Sequence, residues 1–481
     1  MLSVLAAAAT DIPPLGWLAP FVVMLLAIAL LPLIPATSHW WEHNRNRLIV
    51  SVVLAAAALV HFLTRDFGVV LHNDFYGHAL DWMGFSISEH HGHLVTGLGI
   101  SGLAGALANS VAEYVPFITL LFTLYCVAGG ISIKGDIPAH PLTNTVILAI
   151  GGLLASFIGT TGAAMLLIRL LLQTNRERKH VTHTVVFFIF IVCNVGGCLL
   201  PIGDPPLFLG YLKGVPFFWT LVLWREWLFM LVAMLVVYWI WDSIMYRRES
   251  LSSLISDETQ RRPISMSGSI NLLWLVMVVL AVAFIDPSKT LPGTDWHPPM
   301  FARELIQLCL VGLSFLTTPR GLRSETGFNF HAIGEVAALF IGIFITMQIP
   351  LEILHAKGDQ LGLSTPTHFF WATGLLSAFL DNAPTYAVFF QTAQTLAPPD
   401  AAPPDFVLLA HGAHVEQHLL VAVSLGAVFM GAMTYIGNGP NFMVKAIAEG
   451  HGVRMPGFFG FLMMACAVLI PILVLVNLIF L

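Results

Sequence analysis

Two aspartates lie inside otherwise apolar stretches, beside residues that interrupt a helix. Asp204 directly precedes two prolines, and Asp381 lies three residues before Pro384. An acidic side chain within a membrane segment is costly and is functional by default, so we expect both in ion sites. Burial away from water favours the protonated carboxyl, which would let protons compete with sodium for the same oxygens. The alternative is that each carboxylate only caps a half-helix.

Neutral oxygen donors and glycines accompany the two aspartates. Asn and Thr side chains offer the oxygen ligands that hard cations prefer. Glycine lets the backbone leave the helix, so that freed carbonyl groups can bind a cation. These grounds add nine candidate ion-site residues, namely Thr160, Thr161, Asn194, Gly203, Asn382, Thr385, Gly437, Asn438 and Asn441. Hydrogen bonding between helices is the alternative for each Asn and Thr.

Other polar residues give different predictions. Arg169 is expected to be an interfacial anchor, with binding of an anionic substrate as the alternative. Two histidine sets could bind metal or sense pH, although we expect solvated faces there; they are His90, His91 and His93, and His411, His414 and His418. Phosphate-binding loops, nucleophile elbows and nucleic-acid-binding basic patches are absent from the sequence. We therefore expect no enzyme, no cofactor and no nucleic-acid partner.

The composition points to a membrane as the environment of these residues. Of 481 residues, 57% are hydrophobic and 10% charged, whereas soluble chains carry roughly 25% charged residues. Nearly charge-free stretches such as 458–481 reach the length of about 20 residues that a span requires. Short polar loops separate them, which predicts an all-α, multi-pass protein of the inner (plasma) membrane.

The loop charges predict the topology. Basic residues cluster at 45–47, 176–179, 247–262 and 320–323, and the positive-inside rule places these loops in the cytoplasm. Two apolar stretches must then begin and end on one side, which predicts re-entrant hairpins at 141–173 from the cytoplasm and at 367–396 from outside. Crossings broken by Gly and Pro are predicted at 183–212 and 417–447.

The hairpins and breaks recur in two halves of opposite predicted direction. The first break reads Ile202-Gly203-Asp204-Pro205-Pro206, and the second reads Ile436-Gly437-Asn438-Gly439-Pro440. The tips correspond as well, with Phe157 matching Phe379. Such recurrence predicts inverted repeats. The repeats would be 1–246, with an extracytoplasmic or interfacial insert at 67–113, and 271–481, joined by a cytoplasmic linker at 247–270.

These motifs resemble the ion transporter superfamily. The residues that carry the likeness are 194–206, Leu380–Thr385 and Tyr435–Phe442, and with the order of spans it covers about 114–480. The chain looks most similar to NhaD-type sodium/proton antiporters of the citrate-transporter-like group. The resemblance implies alternating access around the two hairpins and a homodimer.

We predict a secondary antiporter that exchanges Na⁺ (or Li⁺) for protons, with Asp204 and Asp381 in its ion sites. The alternative is a cation-coupled carrier for citrate or a similar organic anion. Two carboxylates against one candidate arginine in the membrane core favour a cation. The expected partners are therefore the small cation, the proton and the lipid bilayer.

Overall fold

The computed structural model of the chain is predominantly helical and describes residues 12–90, 93–259, 261–287, 290, 296–398, 405–410 and 412–481. Because a bilayer offers the backbone no hydrogen bonds, apolar segments that cross it satisfy their N–H and C=O groups within helices. The helices before the predicted linker are α1 (Ala19–Leu30), α2 (Pro35–Trp41), α3 (Asn44–Thr64), α4 (Asp74–Trp82), α5 (Ile100–Ala128), α6 (Pro141–Ile158), α7 (Thr160–Thr174), α8 (Thr182–Ile191), α9 (Pro205–Leu212) and α10 (Trp224–Tyr246).

The second part of the chain is built in the same way. Its helices are α11 (Leu251–Thr259), α12 (Ile270–Phe284), α13 (Ala302–Thr317), α14 (Leu322–Glu325), α15 (His331–Thr346), α16 (Gln348–Lys357), α17 (Pro366–Phe379), α18 (Asn382–Thr395), α19 (Gln417–Met430), α20 (Gly439–Gly450) and α21 (Phe458–Phe480). Short strands form three antiparallel pairs, which are β1 (Ile87–His90) with β2 (His93–Thr96), β3 (Ser132–Asp136) with β4 (Arg262–Ser267), and β5 (Phe406–Leu408) with β6 (His414–Glu416).

A helix ends and another begins at each predicted hairpin tip, and the arms of the first hairpin pack together. Helices α6 and α7 meet at Gly159, whose φ of 78° lies in the region that favours glycine. Helices α17 and α18 meet at Leu380 and Asp381. Each helix pair is therefore interrupted at the residues that the sequence marks as a tip.

Both predicted broken crossings are present as well. Helix α8 ends at Ile191 and α9 begins at Pro205, while α19 ends at Met430 and α20 begins at Gly439. The prediction of an all-α polytopic membrane protein is thus confirmed, and the inverted orientation of the two repeats stays a prediction.

The number of membrane-crossing helices depends on how bent helices are counted. In the described ranges, 5 helices are long and apolar enough to cross a membrane, and the number reaches 7 if each of two bent pairs is one span. One such pair, Leu15–Leu30 with Pro35–Trp41, bends by 100°. Helix α5 begins at Ile100, so it includes the end of the segment predicted as an insert.

Contacts divide the chain into two compact units. The first unit comprises Met1–Thr119, Phe330–Thr365 and Ala387–Leu420, and the second comprises Leu120–Asn329, Pro366–Tyr386 and Val421–Leu481. All eleven residues predicted for the ion sites belong to the second unit.

Ion pairs join two long helical segments within the first unit. Arg47, near the start of α3, pairs with Glu335 near the start of α15 at 2.9 Å. Arg65, just after α3, pairs with Glu352 of α16 at 2.6 Å. Because starts pair with starts and ends with ends, the two segments run parallel. Each follows a basic loop that is predicted to be cytoplasmic, at 45–47 and at 320–323, so the predicted topology also directs both outward.

The described residues of the predicted linker pack within the second unit. Its strand β4 pairs with β3, with Ser132 opposite Ser267. Its helix α11 supplies Asp257, whose carboxylate accepts the N–H of Ala139 at 2.9 Å, just before the first hairpin. The linker therefore packs against the entry to that hairpin.

Candidate ion site

The two helix breaks share one backbone conformation. Asp204 is the N-cap residue of α9, with φ −142° and ψ 142°. Asn438 is the N-cap residue of α20, with φ −154° and ψ 138°. Both helices carry proline in their first turn, where its missing N–H costs nothing. The breaks are thus structural equivalents that hold an aspartate in one repeat and an asparagine in the other.

Glycine is required at the same place in each break. A Cβ on Gly203 would lie 2.3 Å from the carbonyl oxygen of Gly197, and a Cβ on Gly437 would lie 2.6 Å from that of Gly431. Backbone atoms cannot give way as a flexible side chain can. These close approaches turn the N-cap residue of each half-helix toward the interior of the unit.

The Asp204 carboxylate is the centre of the site. It is 1% exposed and does not bond to the N–H groups of its own helix. Its Oδ1 accepts hydrogen bonds from Thr160 Oγ1 at 3.1 Å and Asn438 Nδ2 at 2.9 Å, and its Oδ2 accepts one from Asn382 Nδ2 at 2.8 Å. Both hairpin tips and both breaks therefore meet at one carboxylate.

The charge on this carboxylate is not balanced by a cation. All three donors are neutral, and no lysine, arginine or histidine among the residues described in the structure forms an ion pair with Asp204. Hydrogen bonds reduce the cost of burying a charge, but a buried ion without a counter-charge is still costly. Such a site favours either a proton or a bound cation.

A network of buried amides supports the centre. Asn438 Nδ2 also faces the Cys193 carbonyl oxygen at 3.0 Å and Asn194 Oδ1 at 3.3 Å. Asn194 Nδ2 donates to Asn441 Oδ1 at 2.8 Å, and Asn441 Nδ2 donates to the Gly431 carbonyl oxygen at 2.9 Å. These amides bond to carbonyl groups that the breaks leave free.

One amide oxygen in the site has no hydrogen bond. Asn382 is 1% exposed, and its Oδ1 has no partner in the described part of the chain. A buried acceptor in that state is costly unless a ligand completes it. It lies on the same side chain whose Nδ2 bonds to Asp204, so it is a neutral oxygen suited to a cation there.

The other predicted residues at the tips have local partners. The Asp381 carboxylate accepts the N–H of Ala383 at 3.1 Å, as a helix cap does. Thr385 Oγ1 donates to the carbonyl oxygen of Asp381 at 2.9 Å. Thr161 is half-buried and makes no side-chain hydrogen bond to a described residue. These contacts favour the capping alternative for Asp381 and give Thr161 no link to Asp204, while the ion-ligand roles that the sequence assigns to the three residues stay predictions.

Sequence reasoning missed a second buried polar cluster, at the base of the first hairpin. Asp242 of α10 binds Arg178 Nη2 at 2.6 Å and His183 Nε2 at 2.8 Å. Asn144 of α6 donates to Asn175, at the end of α7, at 2.8 Å, which joins the two arms. Asp242 carries the same signal as Asp204, an acidic residue in an apolar span, and that signal could have found it.

The remaining candidates lie outside the amide network. Arg169, on α7, approaches Gly327, since its Nη2 is 2.7 Å from the position of an added Cβ. The described His, Cys, Asp and Glu residues contain no group of three that could hold a metal ion. His91 and His411 lie outside the described residues, so the metal-binding alternative for the two histidine sets is not tested at those positions.

Broken helices around a buried carboxylate in a polytopic membrane protein are features expected of a transporter. A family model supports this class and gives the family. The CitMHS_2 model, described as "Putative citrate transport", matches residues 91–481. The chain belongs to this family of the citrate-transporter-like (ion transporter) group, which confirms the resemblance seen in the sequence. It is a multi-pass secondary transporter, and membership implies a carrier rather than an enzyme. A search of curated proteins found no match.

Proposed function

We propose that the protein exchanges Na⁺ or Li⁺ for protons, with the Asp204 carboxylate binding the two in turn. The observation that carries this proposal is a fully buried carboxylate that, within the described part of the chain, is held by three neutral donors and by no cationic side chain. The charged, empty site is the costly state, whereas the protonated and cation-bound sites are neutral. Translocation is therefore favoured when one ligand or the other is bound, and this alternation couples the two flows.

The oxygen atoms around Asp204 suit a small, hard cation. The carboxylate, the hydroxyl of Thr160 and the free Oδ1 of Asn382 are oxygen donors of the kind that alkali and alkaline-earth ions prefer. The N–H group that Asn382 now directs at Asp204 would repel a cation bound there. Rotation of that amide would replace the N–H with the oxygen, so cation binding and amide rotation are expected together.

A cation-coupled citrate carrier is the second candidate, and the family match favours it. Citrate carries several negative charges near neutral pH, and Asp204 would repel it unless a proton or cation were bound. Arg169, which pairs with no acidic residue in the described ranges, is the first residue to mutate under this alternative.

The two candidates are separated in everted vesicles that hold an established proton gradient. Exchange predicts that added Na⁺ or Li⁺ dissipates part of the gradient and that K⁺ does less, because its larger radius fits a compact site poorly. Activity should rise with pH, because deprotonation frees the carboxylate for the cation. Asp204→Asn should reduce the response to that of vesicles without the protein, while Thr161→Val should leave it near wild type.

Labelled citrate uptake in the same vesicles is the competing measurement. Sodium-stimulated citrate accumulation without sodium-driven proton movement would overturn the exchange proposal. Loss of that uptake in Arg169→Gln, with Asp204 intact, would then support an anion site on α7.

We also propose residence in the plasma (inner) membrane with the basic loops in the cytoplasm. Single cysteines introduced near Arg176 and near Pro399 should label with impermeant reagents from opposite sides. Labelling from the same side would contradict the inverted topology. The homodimer that the family resemblance implies stays a prediction.

A further inference from the structure

The hydrogen bonds around Asp204 follow the internal repeat. Aligning Ile202 with Ile436 makes Asp204 the counterpart of Asn438, and aligning Phe157 with Phe379 makes Thr160 the counterpart of Asn382. These four residues are the carboxylate and its three donors. Asp204 therefore bonds to its own counterpart and to one matching residue from each hairpin tip, so the repeats converge on one shared site.

Only one of the two matching break positions carries a charge. Asn438 is neutral and donates to Asp204, which a second carboxylate could do only with a shared proton. The other predicted carboxylate, Asp381, is close enough to Asp204 to repel its charge, but it matches Gly159 in the repeat, and its Oδ1 accepts the N–H of Ala383 in its own helix. The two matching break positions thus supply one negative charge between them.

We infer that the protein has a single ion site, shared by its two repeats, and exchanges one monovalent cation for one proton. This inference rests on the proposed function and sets its stoichiometry. Because one positive charge moves each way, the exchange is electroneutral. The same geometry makes position 438 able to take over the charge of position 204, since both N-cap residues have the same backbone conformation.

The first test measures the balance point of exchange in proteoliposomes of the full chain, with valinomycin and K⁺ setting the voltage. For one proton per cation, a tenfold Na⁺ gradient should be balanced by about one pH unit at every voltage, and for two protons by about half a unit at zero voltage. A voltage-dependent balance point would overturn the single-site inference while leaving sodium/proton exchange standing. Absence of any sodium-driven proton flux would instead overturn the proposed function.

The second test moves the charge between the repeats. Asp204→Asn should abolish exchange, and the double variant Asp204→Asn/Asn438→Asp should recover a measurable part of it with the same balance point. Asp204→Asn/Thr161→Asp, which places a carboxylate beside the network rather than in it, is the matched control and should stay inactive. A double variant that is monodisperse but inactive would overturn the shared-site claim. The balance point of the wild type decides the stoichiometry even if that variant fails to fold.

Discussion

The two helix breaks have the same backbone and different chemistry. In both, glycines pack against each other, proline begins the next half-helix and an extended N-cap residue points inward. One N-cap residue is the acceptor Asp204, and the other is Asn438, which donates to it at 2.9 Å. The comparison teaches that Gly and Pro determine the scaffold, whereas a single side chain determines the charge that the site can exchange.

The largest expected effect comes from glycines that both breaks need. Gly203→Ala and Gly437→Ala would each place a methyl group against a backbone carbonyl, at 2.3 Å and 2.6 Å. Both variants should give little monodisperse protein, because overpacking against backbone costs about 1–3 kcal/mol or more. Gly439→Ala, whose Cβ would meet nothing within 4 Å, is the control. If Gly203→Ala had a normal melting temperature and Gly437→Ala did not, the two helix breaks would not be equivalent.

The second-largest effect is expected at the base of the first hairpin, and it should change stability without changing the ion site near the tip. Asp242→Asn removes the ion pair with Arg178, in which the Asp242 side chain is 0% and the Arg178 side chain 1% exposed. Loss of such a buried pair should lower the free energy of unfolding by about 3–5 kcal/mol. The variant should melt well below wild type, yet the protein that remains folded should bind sodium normally, because Asp204 is untouched. Glu449→Gln, in a half-exposed pair with Lys445 at 3.9 Å, should not change melting. Weaker sodium binding by the folded Asp242→Asn variant would show that the base of the hairpin is coupled to the ion site.

A smaller effect distinguishes neighbouring threonines at the first tip. Thr160→Val removes a donor from the Asp204 carboxylate, and a hydrogen bond to a charged group contributes about 1.5–3 kcal/mol. The sodium concentration for half-maximal exchange should therefore rise by about 10- to 150-fold. Thr161→Val removes no such bond and should change it less than twofold, roughly. Equal effects of the two substitutions would contradict the assignment of Thr160 alone to the site.

The smallest effect concerns Asp381. As a helix cap, its carboxylate can be replaced by a serine hydroxyl, so Asp381→Ser should exchange and melt like wild type. Asp381→Ala should lose about 1 kcal/mol of stability and keep its exchange. If both variants lost exchange, Asp381 would be an ion ligand, as the sequence predicts, and the two repeats would each contribute a carboxylate.

Local features made most of the fold and the centre of the site predictable. Hydropathy, loop charge and Gly/Pro breaks identify the helix pairs at the tips and the broken helices within a few residues, since each signal lies in a short stretch of sequence, whereas α5 begins inside the segment predicted as an insert. The sequence identifies Asp204 because a carboxylate within an apolar segment is costly to bury and is therefore expected to have a function. The pairing of β4 with β3 and the cluster at Asp242 were not predicted, because they join segments far apart in the sequence. Arg178 shows the limit of composition, since it counts as a basic loop residue yet is 5% exposed.

The central claim, that a cation and a proton compete for Asp204, is tested most directly by proton release. Sodium chloride is added to the purified full-length protein in weakly buffered detergent solution, and a pH-sensitive dye reports the protons released; choline chloride is the ionic control. We predict saturable release of about one proton per chain with Na⁺ or Li⁺, abolished in Asp204→Asn and retained in Asp381→Ser. Sodium binding detected by calorimetry without proton release, or equal release from Asp204→Asn, would contradict the account.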